Sequence, residues 1–286
     1  MAENHAALRV FAEEIRLETL REIMHFGAGH VGGSMSVVEL LAVLYGAELR
    51  HDPERPDWAD RDRFILSKGH AGPALYAALA LRGFFPMDML KTLNQNGTTL
   101  PSHCDRLKTP GIDMTAGSLG QGLSVGIGMA MGARMAGKDF RTYVCLGDGE
   151  CNEGQVWEAA LFAPHNRLNN LTAFVDYNHQ QLDGLTDEVL DLGDLEGKFR
   201  AFGWHTLSVD GHDIPALIAA VEEAKGYKDG PTMIVLNTIK GNGCLAAEAV
   251  MPNHHVAFTE ENRAVNIAHA EARLEAAKKA AEGGAK

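Results

Sequence analysis

The chain has 286 residues, 45% of them hydrophobic and 22% charged, and a formal net charge of −12. That length and apolar content allow a sizeable buried core, and the acidity argues against a nucleic-acid-binding face, which needs a basic patch. No stretch reaches the ~18 uninterrupted apolar residues of a membrane span. The N-terminus has no leader pattern, and Cys104, Cys145, Cys151 and Cys244 include no C-x-x-C pair. A cytoplasmic, reducing setting is therefore expected.

Residues 6–26 put Leu8, Phe11, Ile15 and Leu20 on one face at helical spacing. A glycine-rich turn follows, Gly27-Ala28-Gly29-His30-Val31-Gly32-Gly33. Ser34 or Ser36 is placed to cap a helix over Val37 to Leu49. The charged, proline-containing run 51–57 reads as a loop. Arg63 to Ser67 reads as a short strand ending in Lys68-Gly69-His70, and a small-residue helix follows near Pro73 to Leu81. Residues 94–117 form a long loop carrying His103, and long ordered loops inside compact domains are often functional.

From residue 140 strands and helices alternate. Thr142 to Leu146 is a β-like apolar run that stops at Gly147. Val156, Ala159, Ala160 and Ala163 mark a helix face. Leu171 to Val175 is the next strand, Leu207 to Val209 a weaker one, Ile214 to Ala224 a helix and Thr232 to Leu236 another strand. Strands separated by helices predict βαβ units, hence an α/β fold in which helices flank a parallel sheet. One domain is expected over residues 1–275, with a frayed tail at 276–286.

The candidate site lies where two of these strands end. A carboxylate at the carboxyl end of a parallel strand sits where open α/β sheets bind ligands. Asp148 has that place in Gly147-Asp148-Gly149-Glu150, and its flanking glycines let a polyanion approach the backbone. Thirty positions on, the strand ending Phe174-Val175-Asp176-Tyr177 delivers Asn178. If the strands are neighbours, one carboxylate and one amide oxygen converge. With diphosphate oxygens they make a shell suited to Mg²⁺, a hard cation that completes its octahedron with phosphates and water. Two nucleotide signatures fail: Gly120-Gln121-Gly122 has no third glycine at residue 125, and no G-x-x-x-x-G-K-[ST] run exists.

Gly147-Asp148-Gly149-Glu150 with Asn178 is similar to the thiamine-diphosphate signature. Four further segments resemble the transketolase family and occur in its order. They are Gly29-His30-Val31-Gly32-Gly33-Ser34, Leu66-Ser67-Lys68-Gly69-His70, Thr109-Pro110-Gly111 through Gly117-Ser118-Leu119-Gly120-Gln121-Gly122, and Asn237-Thr238-Ile239-Lys240-Gly241-Asn242-Gly243. They cover most of residues 20–255. The chain departs from the pattern at Val31 and Cys104, where the family often has proline.

The resemblance implies the diphosphate-binding (PP-type) domain of the thiamine-diphosphate fold. It implies that Asp148, Asn178 and the backbone carbonyl of Gln180 hold Mg²⁺, with Ca²⁺ or Mn²⁺ as substitutes. It assigns the cofactor to His70, Gly117, Ser118, Leu119, Gly147, Asp148, Gly149, Glu150, Asn178 and Gln180. It makes Glu153 an acid linking two cofactor sites, although an ordinary first-turn acid is an equal reading. His30, His70, His103 and His254 become the catalytic imidazoles, with His255 a competitor for the last. His5, His51, His165 and His212 read as surface or turn residues. A separately encoded C-terminal subunit is expected as partner, in an α₂β₂ assembly, because the family's aminopyrimidine-binding domain is not in this sequence. The implied activity is ketol transfer between sugar phosphates. The alternatives are the α-subunit of a 2-oxo-acid dehydrogenase, a relative of 1-deoxyxylulose-phosphate synthase, and a non-catalytic regulatory subunit of the same fold.

Overall fold

The computed structural model describes residues 2–248 and 250–284. A long amphipathic helix, α1 (Ala2–Phe26), leads into a two-residue strand β1 (Ala28–Gly29) and two short helices, α2 (Val31–Met35) and α3 (Val38–Val43). The helix expected over 37–49 is thus broken into α3 and a wider π turn at Leu44–Glu48. Neither serine caps it: Ser34 donates back to the carbonyl of His30, and Ser36 is spent on Asp176. Strand β2 (Arg63–Leu66) and helix α4 (Gly72–Leu81) come next, followed by the long loop. Then come α5 (Gln121–Met135), β3 (Thr142–Gly147), α6 (Gly154–His165) and β4 (Leu171–Tyr177). Helices α7 (Thr186–Leu190) and α8 (Leu195–Ala201) precede β5 (His205–Asp210), α9 (Ile214–Gly226) and β6 (Thr232–Asn237). A second short strand, β7 (Val256–Ala257), pairs antiparallel with β1 and is followed by α10 (Glu260–Gly284). The helix α10 covers most of the segment expected to fray, while Ala285 and Lys286 lie outside the described residues.

The main sheet is fully parallel, in the order β2-β3-β4-β6-β5. From β2 to β4 the chain steps across the sheet one way, and from β5 to β6 it steps back. Right-handed crossovers therefore put α5 and α6 on one face and α9 on the other. The strand side chains divide accordingly. Phe64, Tyr143, Cys145, Phe174 and Ile234 join the core under α1, α3, α4 and α9. Ile65, Val144, Leu146, Val175 and Met233 join the core under α5, α6 and α8. Both faces of β2, β3, β4 and β6 are covered, so these strands are near-continuous apolar runs, whereas the edge strand β5 stays partly exposed. The carboxyl ends of β2, β3, β4 and β6 all open on one edge. No helix of the described residues is long and apolar enough to cross a membrane.

Candidate active site

At that edge lies a cavity of about 360 Å³ walled by His30, Lys68, His70, His103, Asp148, Asn178, Lys240 and His254. Gly147, the last residue of β3, pairs with Asp176, the penultimate residue of β4, so Asp148 and Asn178 follow the ends of adjacent strands and line the same cavity. The convergence expected of two neighbouring strands is therefore met.

A buried hub beneath the floor sets the orientation of these side chains. The Asp176 carboxylate accepts from Ser36 Oγ at 2.7 Å, Asn178 Nδ2 at 2.8 Å, Thr238 Oγ1 and the Lys68 ammonium. Burial alone would raise Asp176, but Lys68 and the hydroxyl donors Thr238 and Ser36 overcome it and hold the group below its usual range. Because Asn178 spends its NH₂ on this carboxylate, its amide oxygen is left for the cleft, where among the described residues it accepts only the N–H of Gln180 at 3.2 Å. Asp148 accepts from the N–H of Gly149 at 2.7 Å and, weakly, from Thr186 Oγ1 at 3.3 Å. Burial, then the charge of Asp176, pushes it up to about 6. A cation beside this carboxylate would favour its ionised form. The Lys240 ammonium donates to the carbonyls of Gln180 at 3.1 Å and Gln181 at 2.9 Å, and burial followed by the repulsion of Lys68 brings it down to about 8.

Glu150 lines the cleft, but its carboxylate faces inward. One oxygen accepts from Ser67 Oγ and from the N–H of Gly120 at 2.8 Å, the other from the N–H of Gly147 at 3.0 Å. It thus ties the 117–120 loop to the sheet. Gly120 has φ +84, a left-handed conformation that side chains other than glycine rarely adopt. Gly117 and Leu119 of this loop reach the wall, whereas Ser118 is exposed and does not.

Above the floor, His30 is the centre of an imidazole cluster. Its ring lies 5.6 Å from His70, 5.4 Å from His103, 5.2 Å from His254 and 5.2 Å from His255. The rings of His70 and His254 are 4.6 Å apart. A side chain at Gly33 would sit 2.8 Å from His70 Nε2, so glycine there is what admits the imidazole. Burial lowers His70 well below the usual range, with Lys68 adding to the effect. It also lowers His30 to about 4 and His254 to about 3, and His103 more modestly. These imidazoles stay neutral well below pH 7, and a neutral imidazole has one nitrogen free to accept a proton and one N–H to donate. His254 walls the cleft, while His255 is exposed on the outer side of His30.

Two charged cleft residues have no role assigned from the sequence beyond their place in motifs, Lys68 and Lys240. Their position at the ends of β2 and β6 is the available signal, since a strand-end lysine next to glycine faces the ligand edge. His212 lies in a turn, within its expectation, but its side chain is mostly buried. Its Nδ1 meets Glu39 Oε2 at 3.0 Å and its Nε2 accepts from the N–H of Ile239 at 2.9 Å. It therefore steadies the strand-end segment that carries Lys240.

Residues 8–276 match the family model described as "Transketolase, thiamine diphosphate binding domain". The chain is 53% identical over 261 residues to SqwG, a 6-deoxy-6-sulfo-D-fructose transketolase subunit of Clostridium sp. (strain MSTE9), covering 91% of this chain and 95% of that one. It is 35% identical to one subunit of the apulose-4-phosphate transketolase of Phocaeicola vulgatus, over 94% of this chain and 95% of the relative. Among solved structures, a transketolase of Pichia stipitis superposes with a TM-score of 0.84 at 30% identity, over 96% of this chain and 45% of that one. The chain thus spans a little under half the length of that solved transketolase and nearly all of the two subunits. It belongs to the transketolase family and constitutes its thiamine-diphosphate-binding domain.

Proposed function

We propose that this chain anchors the cofactor in a two-subunit transketolase, where it transfers a two-carbon ketol unit between sugars together with a separately encoded partner. The observation that carries the reading is the convergence of Asp148 and Asn178 at the adjacent ends of β3 and β4, beneath four imidazoles in one cavity. The partner is supported by the word "subunit" in the names of the relatives of equal extent. An α₂β₂ assembly follows as the simplest closed symmetry. The four cysteines are buried and unpaired, in keeping with a cytoplasmic protein.

The site residues fit a diphosphate and a divalent cation. Burial and the charge of Asp176 disfavour the ionised Asp148 carboxylate, which a cation would stabilise, and among the described residues Asn178 offers an oxygen with one weak partner. Among the described residues no group of three or more His, Cys, Asp or Glu gathers as a self-sufficient metal cage. A site with one carboxylate and neutral oxygens suits Mg²⁺, which takes the rest of its shell from phosphates and water. Asp148, Asn178 and the Gln180 carbonyl would hold that cation, with Ca²⁺ or Mn²⁺ as substitutes. Gly147, Gly149, Gly117 and Leu119 would line the cofactor, with His70 above it, and Glu150 would act through the loop it ties down. Ser118 would contribute through its backbone. When bound, thiamine diphosphate supplies the carbanion equivalent that carries the ketol unit. The chain's own part is to orient the sugar and move a proton. His30, His70, His103 and His254 surround the space above the floor, where a neutral imidazole can take the proton of a sugar hydroxyl and return it. They also donate to a developing alkoxide.

Ketose and aldose phosphates are the general substrate class. The 53% identity to a relative named for 6-deoxy-6-sulfo-D-fructose favours a sulfonated ketose as donor. The test is to co-purify the chain with its partner and assay ketol transfer from 6-deoxy-6-sulfofructose and from fructose 6-phosphate. Turnover that requires both subunits, thiamine diphosphate and a divalent cation is expected. Full turnover by the chain alone, or none with the pair, overturns the reading.

A further inference from the structure

The floor of the cleft holds two lysines with different partners. Lys68 is paired with the Asp176 carboxylate. Lys240 makes no ion pair among the described residues, and its ammonium is instead bonded to the consecutive carbonyls of Gln180 and Gln181. It is 3% exposed, so few waters compensate its charge. One of its two acceptors, the Gln180 carbonyl, is the oxygen proposed above as a ligand of the divalent cation. Two cations on one oxygen stand about 4 Å apart, and in a buried site their repulsion is several-fold stronger than in water. Lysine and metal therefore compete for this atom unless an anion lies between them.

The backbone on both sides of Lys240 is fixed. Thr238 is held by its hydroxyl to Asp176 and by its N–H to the Tyr177 carbonyl at 3.1 Å. The N–H of Gly241 donates to the Gly32 carbonyl at 3.0 Å. The lysine stem runs over Gly32, where a side chain would meet its Cγ and Cε at 3.0 Å. What remains free to move is the end of the side chain.

We propose that Lys240 is an exchangeable internal cation that couples loading of metal and diphosphate. With no anion present it holds the carbonyls of Gln180 and Gln181 and keeps the divalent cation out. When a diphosphate enters, the ammonium moves onto a phosphate oxygen and frees the Gln180 carbonyl for the metal. Each component then binds weakly alone and tightly with the other. This inference rests on the cofactor reading given under the proposed function.

The test uses the full-length chain, Mn²⁺ as the metal and inorganic pyrophosphate as the anion. Free Mn²⁺ is followed by electron paramagnetic resonance and pyrophosphate by calorimetry, after correction for the complex they form in buffer. In the wild type, saturating pyrophosphate is expected to tighten Mn²⁺ binding by about 100-fold, a coupling of about 2.7 kcal/mol. Lys240→Met is expected to tighten Mn²⁺ alone by about tenfold, to weaken pyrophosphate alone by a similar factor, and to shrink the coupling. Lys240→Gln, which keeps a donor for the carbonyls without the charge, should behave like Lys240→Met toward pyrophosphate. Its effect on Mn²⁺ alone should be smaller. The inference is overturned if Lys240→Met binds Mn²⁺ alone no better than the wild type, or if the wild type shows no coupling. Asp148→Asn separates the two layers: joint binding that survives this change unaltered removes the cofactor reading itself, and the inference with it.

Discussion

The backbone N–H of Asp148 donates to the carbonyl of Asp176 at 3.1 Å, one step beyond the last paired residues of β3 and β4. This bond carries the parallel ladder past the end of β3. It sets the Asp148 carboxylate beside Asn178, whose amide is in turn aimed by the Asp176 side chain. One aspartate thus governs both members of the oxygen pair, through its backbone on one side and its carboxylate on the other.

Asp148 should be a liability to the empty chain and a necessity to the loaded one. Its folded-state pKa, about 6, lies above the ordinary carboxyl value. The ionised form is therefore disfavoured by folding: the penalty is absent at low pH, grows through the interval between the two values, and is complete above about pH 6. A shift of two units corresponds to about 3 kcal/mol, reduced by the hydrogen bond from Gly149 that Asp148→Asn also weakens. Melting curves should show Asp148→Asn equal to the wild type near pH 4 and more stable at pH 7.5. Adding thiamine diphosphate and Mg²⁺ to the assembled enzyme should reverse the order, with cofactor affinity in the variant reduced by about 100-fold. An unchanged affinity removes Asp148 from the metal site.

Glu22 offers a cleaner case, because no ligand is involved. Both carboxyl oxygens are buried and find no hydrogen-bond partner among the described residues. Burial, helped by nearby Glu18, raises its pKa well above the usual carboxyl range. As with Asp148, a raised carboxyl pKa costs stability that increases with pH. Glu22→Leu removes the buried polar group and adds apolar contact, for a gain of about 1–3 kcal/mol. Urea denaturation at pH 5 and pH 8 should show the larger gain at pH 8. A loss of stability at pH 8 would mean that Glu22 has a favourable role in the fold.

The adjacent histidines near the C-terminal end should separate cleanly. His254 packs on both His70 and His30 and walls the cleft, whereas His255 touches His30 from the exposed side. In the assembled enzyme His254→Ala should lower kcat by about 100-fold or more, and His255→Ala only a few-fold. An imidazole acts as a base only when unprotonated, so activity falls as pH drops through its pKa. With His30 lowered to about 4 and His254 to about 3, the acid limb of kcat/KM should lie below about pH 5 rather than near the ordinary 6.5. Profiles of kcat/KM from pH 4.5 to 8.5 test both points.

The sheet is readable from the sequence because its strands are apolar runs that stop at glycine or at a polar ligand-edge residue. Val144, Val175 and Val235 sit in such runs. Helix α5 is not readable, because Gly122, Gly126, Gly128 and Gly132 lower helix propensity along it. Two of those glycines have a tertiary cause. A side chain at Gly122 would lie 2.2 Å from Ser67 Oγ, and one at Gly126 2.4 Å from Val144 Cγ2. Close packing of the helix on the sheet thus overrides local preference. The aspartate, asparagine and histidines of the site are legible through motif and spacing. The hub role of Asp176 and the inward-facing carboxylate of Glu150 are not, since each depends on donors up to 140 positions away. His212 escapes a sequence reading for the same reason, its partner Glu39 lying 173 positions earlier.

That hub also predicts how the site fails. Lys68 and Asp176 are 1% and 0% exposed as side chains, so neither charge can be compensated by water if the other is removed. Lys68→Met leaves a buried aspartate with neutral donors from Ser36, Asn178 and Thr238. Breaking such a pair costs about 3–5 kcal/mol, whereas replacing both members by apolar groups is often close to neutral. Lys68→Met and Asp176→Leu should therefore each destabilise the chain by several kcal/mol in urea denaturation, and the double variant should lose less than the sum. The losses in function should not recover in the same way. Without the Asp176 carboxylate the Asn178 amide has no acceptor to set its orientation, so the double variant should fold and still bind thiamine diphosphate poorly. Strict additivity of the two stability losses would mean that the pair does not act as a unit. Normal cofactor binding in the double variant would mean that Asn178 is oriented by something other than the hub.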